Sequence, residues 1–253
     1  MSFHHRNVLI TGAASGIGAA IAEHFCGLGA TVALMDYNAE QLDTFCQTLA
    51  EKDYKFHRFV ADVSNYEQCV QAVEYFNTAM GPMDTLINNA GVSPKHNGKA
   101  HKIWEMSHLE WNNVVGINLN GSFNMIRLLV PDMIKHKFGK IINTSSVAAN
   151  IYLPVVACHY SSTKAAIIGL TRQLAGELGP YGIHVNAVAP GRINTPMVQM
   201  VGDAVNSQFI AETPLQRLGQ PQEVAKAIEY LASTQSDFVT GQILDVAGGW
   251  LMH

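Results

Sequence analysis

The chain has 253 residues, 48% of them hydrophobic and 14% charged, with a formal net charge of −4 and a mean hydropathy of +0.08. High apolar content at low net charge excludes intrinsic disorder, and 16 Lys+Arg against 20 Asp+Glu leave no basic footprint for nucleic acid. No apolar run reaches the roughly 18 residues of a membrane helix, and the polar start at Ser2 to Asn7 passes directly into Val8-Leu9-Ile10. The reading therefore expects no signal peptide and no membrane partner, and a cytoplasmic location.

In chain order, short β-branched runs predict strands over 8–11, 31–36, 55–62, 85–89, 140–145, 184–189 and 243–246. Amphipathic or apolar stretches between them predict helices over 16–28, 39–52, 66–80, 109–135, 159–178 and 221–232. Strands apolar on both faces, alternating with helices, imply an α/β domain spanning 1–253 whose parallel sheet is covered on both sides. The weakly patterned stretch 194–218, punctuated by Pro196, Gly202 and Pro214, reads as a lid or substrate loop. Cys26, Cys46, Cys69 and Cys158 are widely spaced and read as small core side chains. The 11 histidines show no ligand pairing such as H-x-x-x-H, so no metal site is expected.

The first predicted strand ends in Thr11-Gly12-Ala13-Ala14-Ser15-Gly16-Ile17-Gly18 and opens into a helical pattern. Glycines at such a turn let the backbone approach a pyrophosphate, and the helix start supplies free N–H groups and partial positive charge. The spacing is G-x-x-x-G-x-G, and a purely structural turn is the competing reading. Asp36 closes the second strand 18 residues after Gly18. A carboxylate there can accept hydrogen bonds from ribose hydroxyls and repel a 2′-phosphate, which points to NAD; the alternative is a solvated strand-end aspartate.

Further motifs follow: Asp62-Val63, Asn88-Asn89-Ala90-Gly91, Asn118, Ser145-Ser146, Tyr160-Ser161-Ser162-Thr163-Lys164, and Pro190-Gly191-Arg192-Ile193-Asn194-Thr195-Pro196. Tyr160 and Lys164 stand at i and i+4, sharing one face of a helix. In this order and spacing the motifs resemble the short-chain dehydrogenase/reductase family over essentially the whole chain. The resemblance implies a Rossmann-type doubly wound sheet of about seven strands and hydride transfer between NAD(H) and a secondary alcohol or ketone. It implies Tyr160 as general acid/base, Lys164 lowering the tyrosine pKa and holding the nicotinamide ribose, Asn118 supporting a proton relay, and Ser146 binding the substrate oxygen. Ser146 lies 14 residues before Tyr160, so whether it or Ser145 faces the site stays open. By the same resemblance Gly12, Ser15, Gly16, Ile17, Gly18 and Asp36 bind the cofactor, as do Asp62 and Val63 at the adenine and Asn89, Ala90 and Gly91 along the ribose and pyrophosphate. Pro190, Gly191, Ile193 and Thr195 would hold the nicotinamide carboxamide. Asp62 has a competing reading as a helix cap, and Asn88 reads as a tie between strands.

Lys95, His96, Lys99, His101 and Lys102 form a basic run that either attracts an anionic small-molecule substrate or is a solvated loop, the reading preferred here. Trp104 and Trp111 read as packing residues, and Met197 and Met200 as lining or packing the lid. His159, beside Tyr160, faces a different direction on a helix and is left out of the chemistry. The resemblance also implies a homotetramer or homodimer. Two rival functions remain: a 3-oxoacyl-[acyl-carrier-protein] reductase, against which Ser15, Asp36 and Tyr37 argue, and a non-catalytic NAD-sensing regulator.

Overall fold

The computed structural model describes residues 2–252. Seven parallel strands form one sheet in the order β3-β2-β1-β4-β5-β6-β7. β1 (Asn7–Thr11), β2 (Thr31–Asp36) and β3 (Phe56–Val60) step outward one way, and β4 (Thr85–Asn88), β5 (Gly139–Thr144), β6 (Ile183–Pro190) and β7 (Ile243–Val246) the other. The order reverses between β1 and β4, where Val8 pairs with Thr85 and Ile10 with Ile87. A crevice therefore opens at the carboxyl ends of these two strands, the position where doubly wound sheets bind ligands.

The period-2 alternation of strand side chains divides the core into two layers. Val8 and Ile10 point toward Ile21 and Phe25 of α1 (Gly16–Gly27), Leu42 of α2 (Ala39–Ala50) and Ile228 of α9 (Pro221–Ala232). Leu9 points the other way, toward Phe76 of α3 (Tyr66–Met80), Leu129 of α5 (Gly121–His136) and Leu178 of α6 (Cys158–Leu178). Burial on both faces explains the continuous apolar runs of the central strands.

The helix expected over 109–135 is present without a gap but changes its pitch midway. α4 (His108–Val115) passes through a wide π turn at Gly116–Asn120 before α5 begins. Tight packing marks the far end of that turn, since a Cβ on Gly121 would stand 2.6 Å from Val63 Cγ2. The stretch 194–218 is partly helical, with α7 (Pro196–Gln199) and α8 (Asp203–Glu212). Two packing expectations fail. Cys158 begins α6 and is exposed, because the buried side of that helix is taken by His159 and Thr163. Trp104 is 79% exposed, on the loop ahead of α4. The other three cysteines are buried as expected.

Asn88 does tie strands together. Its Nδ2 donates to Asn143 Oδ1 on β5 (2.9 Å), and Asn143 Nδ2 donates to Thr171 Oγ1 on α6 (3.0 Å), all three residues being buried. Asn143→Ala strands two buried polar groups, so urea denaturation is expected to show a loss of about 2–3 kcal/mol.

Candidate active site

The turn between β1 and α1 is built by steric exclusion. Gly12 has φ +63°, and a Cβ there would lie 2.8 Å from Ala90 Cα; a Cβ on Gly18 would collide with the Gly12 carbonyl oxygen. Asn89 locks the turn to the end of β4, its Nδ2 donating to the carbonyls of Thr11 (3.1 Å) and Gly12 (3.0 Å). The Thr11 hydroxyl accepts from the amides of Asn89 and Ala90, each at 3.1 Å. Side chains of Asn38, Asn65 and Ser107 cap α2, α3 and α4, but Ser15 makes no such bond at the start of α1. The first-turn amides of Gly16, Ile17 and Gly18 are thus left for an anion.

Asp36 sits at the rim of this turn and is not a solvated strand end. Its Oδ2 accepts from Ala14 N and its Oδ1 from Asn38 N, both at 3.0 Å. Thr195 lies over the opposite side, where a Cβ on Gly16 would meet Thr195 Cγ2 at 3.5 Å. Pro190 ends β6, Gly191 N donates to Val246 O (3.0 Å), and Ile193 bridges to Gly219, so the segment reaching Thr195 is held at both ends. Asp62 spends one oxygen on a turn, Oδ1 accepting from Ser64 N and Oγ at 2.8 Å each, while the buried Val63 carbonyl accepts from Asn124 Nδ2. The glycine cradle, the uncapped helix start and the rim carboxylate together fit a dinucleotide.

Beyond β5 the structure separates the two serines. Ser145 Oγ donates to the Lys164 carbonyl (2.8 Å), pinning α6 to the sheet, whereas Ser146 hydrogen-bonds to Tyr160. Burial raises the Tyr160 phenol above its ordinary pKa, and the Ser146 bond opposes that rise. Lys164 Nζ stands 5.7 Å from the Tyr160 ring centroid and donates to Thr144 O (2.7 Å), and burial holds its own pKa down to about 8. The π turn delivers Asn118 to the same spot. Its Oδ1 accepts from Val92 N (2.8 Å), its Nδ2 donates to Val92 O (3.0 Å), and a Cβ on Gly91 would lie 3.4 Å from both Asn118 Oδ1 and Lys164 Nζ.

His159 turns away from Tyr160, its Nε2 meeting Glu110 Oε1 at 3.0 Å. The other Glu110 oxygen meets His101 Nδ1 (2.8 Å) and His96 Nε2 (3.0 Å), whose rings stack 3.4 Å apart. Burial pushes Glu110 up, but the hydrogen bonds from His159 and His101 outweigh it and hold the carboxyl below its usual pKa. Atoms of His96, His101 and Glu110 lie within 4.8 Å of one another, close enough to share a metal ion. Sequence spacing gives no sign of this group, because its members come from a loop and from α4.

The basic run is thereby divided. His96 and His101 are tied to Glu110, Lys99 and Lys102 are exposed, and Lys95 alone turns inward. It lines a cavity with Ser146, Tyr160 and Arg192, walled by Leu153, Val155, Val156, Met197, Val201 and Trp250. The sequence assigns Arg192 and Trp250 no role; Arg192 lies inside the Pro190–Pro196 motif, a signal of position alone. Met200, by contrast, is exposed.

A family model described as enoyl-(acyl carrier protein) reductase matches residues 12–251. The 3-oxoacyl-[acyl-carrier-protein] reductase of Thermotoga maritima is 39% identical over 241 residues, 95% of this chain and 96% of that one. A crystal structure of the 3-oxoacyl-[acyl-carrier protein] reductase of Brucella melitensis superposes with a TM-score of 0.96 at 52% identity, covering 100% of this chain and 93% of that one. A second Brucella melitensis structure, with bound NAD, gives 0.94 at 51% identity over the same shares.

The buried Lys164 ammonium has a stability consequence. Its folded pKa of about 8 lies below the usual lysine value of 10.5, so the folded state carries a burial penalty that is complete below pH 8 and disappears as pH rises toward 10.5. Lys164→Met is expected to raise unfolding free energy by about 1–3 kcal/mol at pH 7. Denaturation at a series of pH values should show that gain shrinking in alkali.

Proposed function

The chain belongs to the short-chain dehydrogenase/reductase family, and from that premise we propose that it moves hydride between NAD(H) and a secondary alcohol or ketone. The observation that carries this reading is the convergence of Ser146, Tyr160 and Lys164 at the mouth of a crevice fitted for a dinucleotide. A bound nicotinamide ring supplies the hydride acceptor or donor. Tyr160 exchanges its phenolic proton with the substrate oxygen, and Ser146 holds that oxygen by a hydrogen bond, which fixes the reacting carbon in place. Lys164 brings a cation to the Tyr160 ring and so favours the tyrosinate needed when an alcohol is oxidised. Asn118, with its amide committed to Val92, holds the loop at Gly91 beside the Lys164 ammonium.

Gly12, Gly16, Ile17 and Gly18, with Ser15, receive the pyrophosphate at the start of α1, and Asn89, Ala90 and Gly91 line its path. Asp62 and Val63 meet the adenine; Pro190, Gly191, Ile193 and Thr195 meet the carboxamide. Asp36 supports NAD over NADP, since its carboxylate is fixed by two backbone amides where a 2′-phosphate would bring further negative charge. The bound NAD of the Brucella melitensis relative is in keeping with this. A second copy of the chain is the expected partner, in a dimer or tetramer, on the face where Leu109 of α4 and Phe123 of α5 are exposed.

A second reading, reduction of a 3-oxoacyl-[acyl-carrier-protein], is favoured by the names of the Thermotoga and Brucella relatives and by the apolar walls of the cavity. It shares the proton chemistry above and differs in substrate. Tyr160→Phe tests the chemistry common to both: kcat is expected to fall by roughly a hundredfold or more, while NADH affinity by fluorescence titration stays within about twofold. Substantial residual turnover would assign the proton to another group.

A further inference from the structure

Two cations, Lys95 and Arg192, share the lining of the substrate cavity. Lys95 Nζ hydrogen-bonds to the Ser93 hydroxyl (2.9 Å), and Arg192 directs Nε and Nη2 to the amide oxygen of Asn206 (3.1 and 2.8 Å). Both partners are neutral. The Arg192 guanidinium also lies 4.6 Å from the Phe209 ring centroid, so its orientation is set by α8. Burial, reinforced by Arg192, holds Lys95 down to about 8, and burial lowers Arg192 as well. Lys95 and Arg192 are half-buried, and cations partly withdrawn from water against apolar walls gain when an anion joins them.

The neighbouring walls limit what that anion is. Leu153, Val156, Met197 and Trp250 add apolar surface to the cavity that the cations and the Ser146–Tyr160 pair line. We propose that Lys95 and Arg192 form a subsite for a substrate carboxylate, making the preferred substrates short-chain hydroxy or oxo acids. This rests on the hydride-transfer reading and deepens it. An acid lays its carboxylate on Lys95 and Arg192, packs its carbon chain on the walls, and presents its oxygen to Ser146 and Tyr160. Lys99, four residues from Lys95 on the same loop, is exposed and takes no part.

Two measurements on the purified full-length protein separate the subsite from the reaction. In calorimetric titrations, butanoate is expected to bind about tenfold tighter than butanamide. Lys95→Met should abolish that difference, while Lys95→Arg and the surface control Lys99→Met keep it. Equal binding of acid and amide, or a preference untouched by Lys95→Met, would overturn the subsite. In NAD-coupled assays, kcat/KM for 3-hydroxybutanoate should exceed that for its methyl ester by about tenfold, a ratio that falls to about one in Lys95→Met. Ester oxidised as well as acid would sink the subsite and leave hydride transfer standing. Selective butanoate binding with no alcohol oxidised would sink hydride transfer and leave the subsite standing.

Discussion

The Asn89 side-chain amide bridges the carbonyls of Thr11 and Gly12 at the point where the sheet reverses its order. Two strands that diverge in their onward connections are thereby fixed to each other at their carboxyl ends. The glycine turn is pressed onto the same spot, with Gly18 against the Gly12 carbonyl and Gly12 against Ala90. Because these contacts are backbone to backbone, no side chain can be added without moving either the strand end or the helix start. The crevice is a consequence of that close approach, and the free amides of α1 and the rim carboxylate of Asp36 take their positions from it.

The opposite wall depends on a different kind of constraint, a charge placed where it costs stability. Lys164 is buried, hydrogen-bonded to Thr144 O and close to the Tyr160 ring, and its depressed pKa records the penalty. A core selected for stability alone would fill that position with an apolar side chain. Ser145 shows how the penalty is contained: its hydroxyl ties the Lys164 carbonyl to the end of β5, so the helix cannot draw back and let the ammonium reach water. Ser146, one residue later, is then free to face Tyr160.

Much of this was legible in the sequence because the central strands are buried on both faces and read as uninterrupted apolar runs. β2 and β7 fall where the pattern placed them, and α3 and α9 likewise. The glycine turn and the Tyr160–Lys164 pair were legible for another reason: close approach and shared helix face leave fixed spacings. What the sequence hid depends on contacts between distant segments. The π turn at Gly116–Asn120 has the composition of ordinary helix, and only the docking of Asn118 on Val92 reveals it. Glu110 gathers histidines from a loop and from α6, which no local spacing encodes. Lys95 looked like its basic neighbours, and the difference between them, inward against outward, is set by how the loop folds over Ser93. Exposure of Cys158 and Trp104 was missed because hydrophobic character says where a side chain prefers to be, not whether another element arrives to cover it.

The crevice and its rim together decide whether a dinucleotide binds and which one. Fluorescence titration of the protein with NADH and, separately, NADPH tests both together. The account predicts saturable NADH binding at least about tenfold tighter than NADPH, a difference of 1.4 kcal/mol. Tighter binding of NADPH would contradict the role given to Asp36, and no binding of either would contradict the crevice itself.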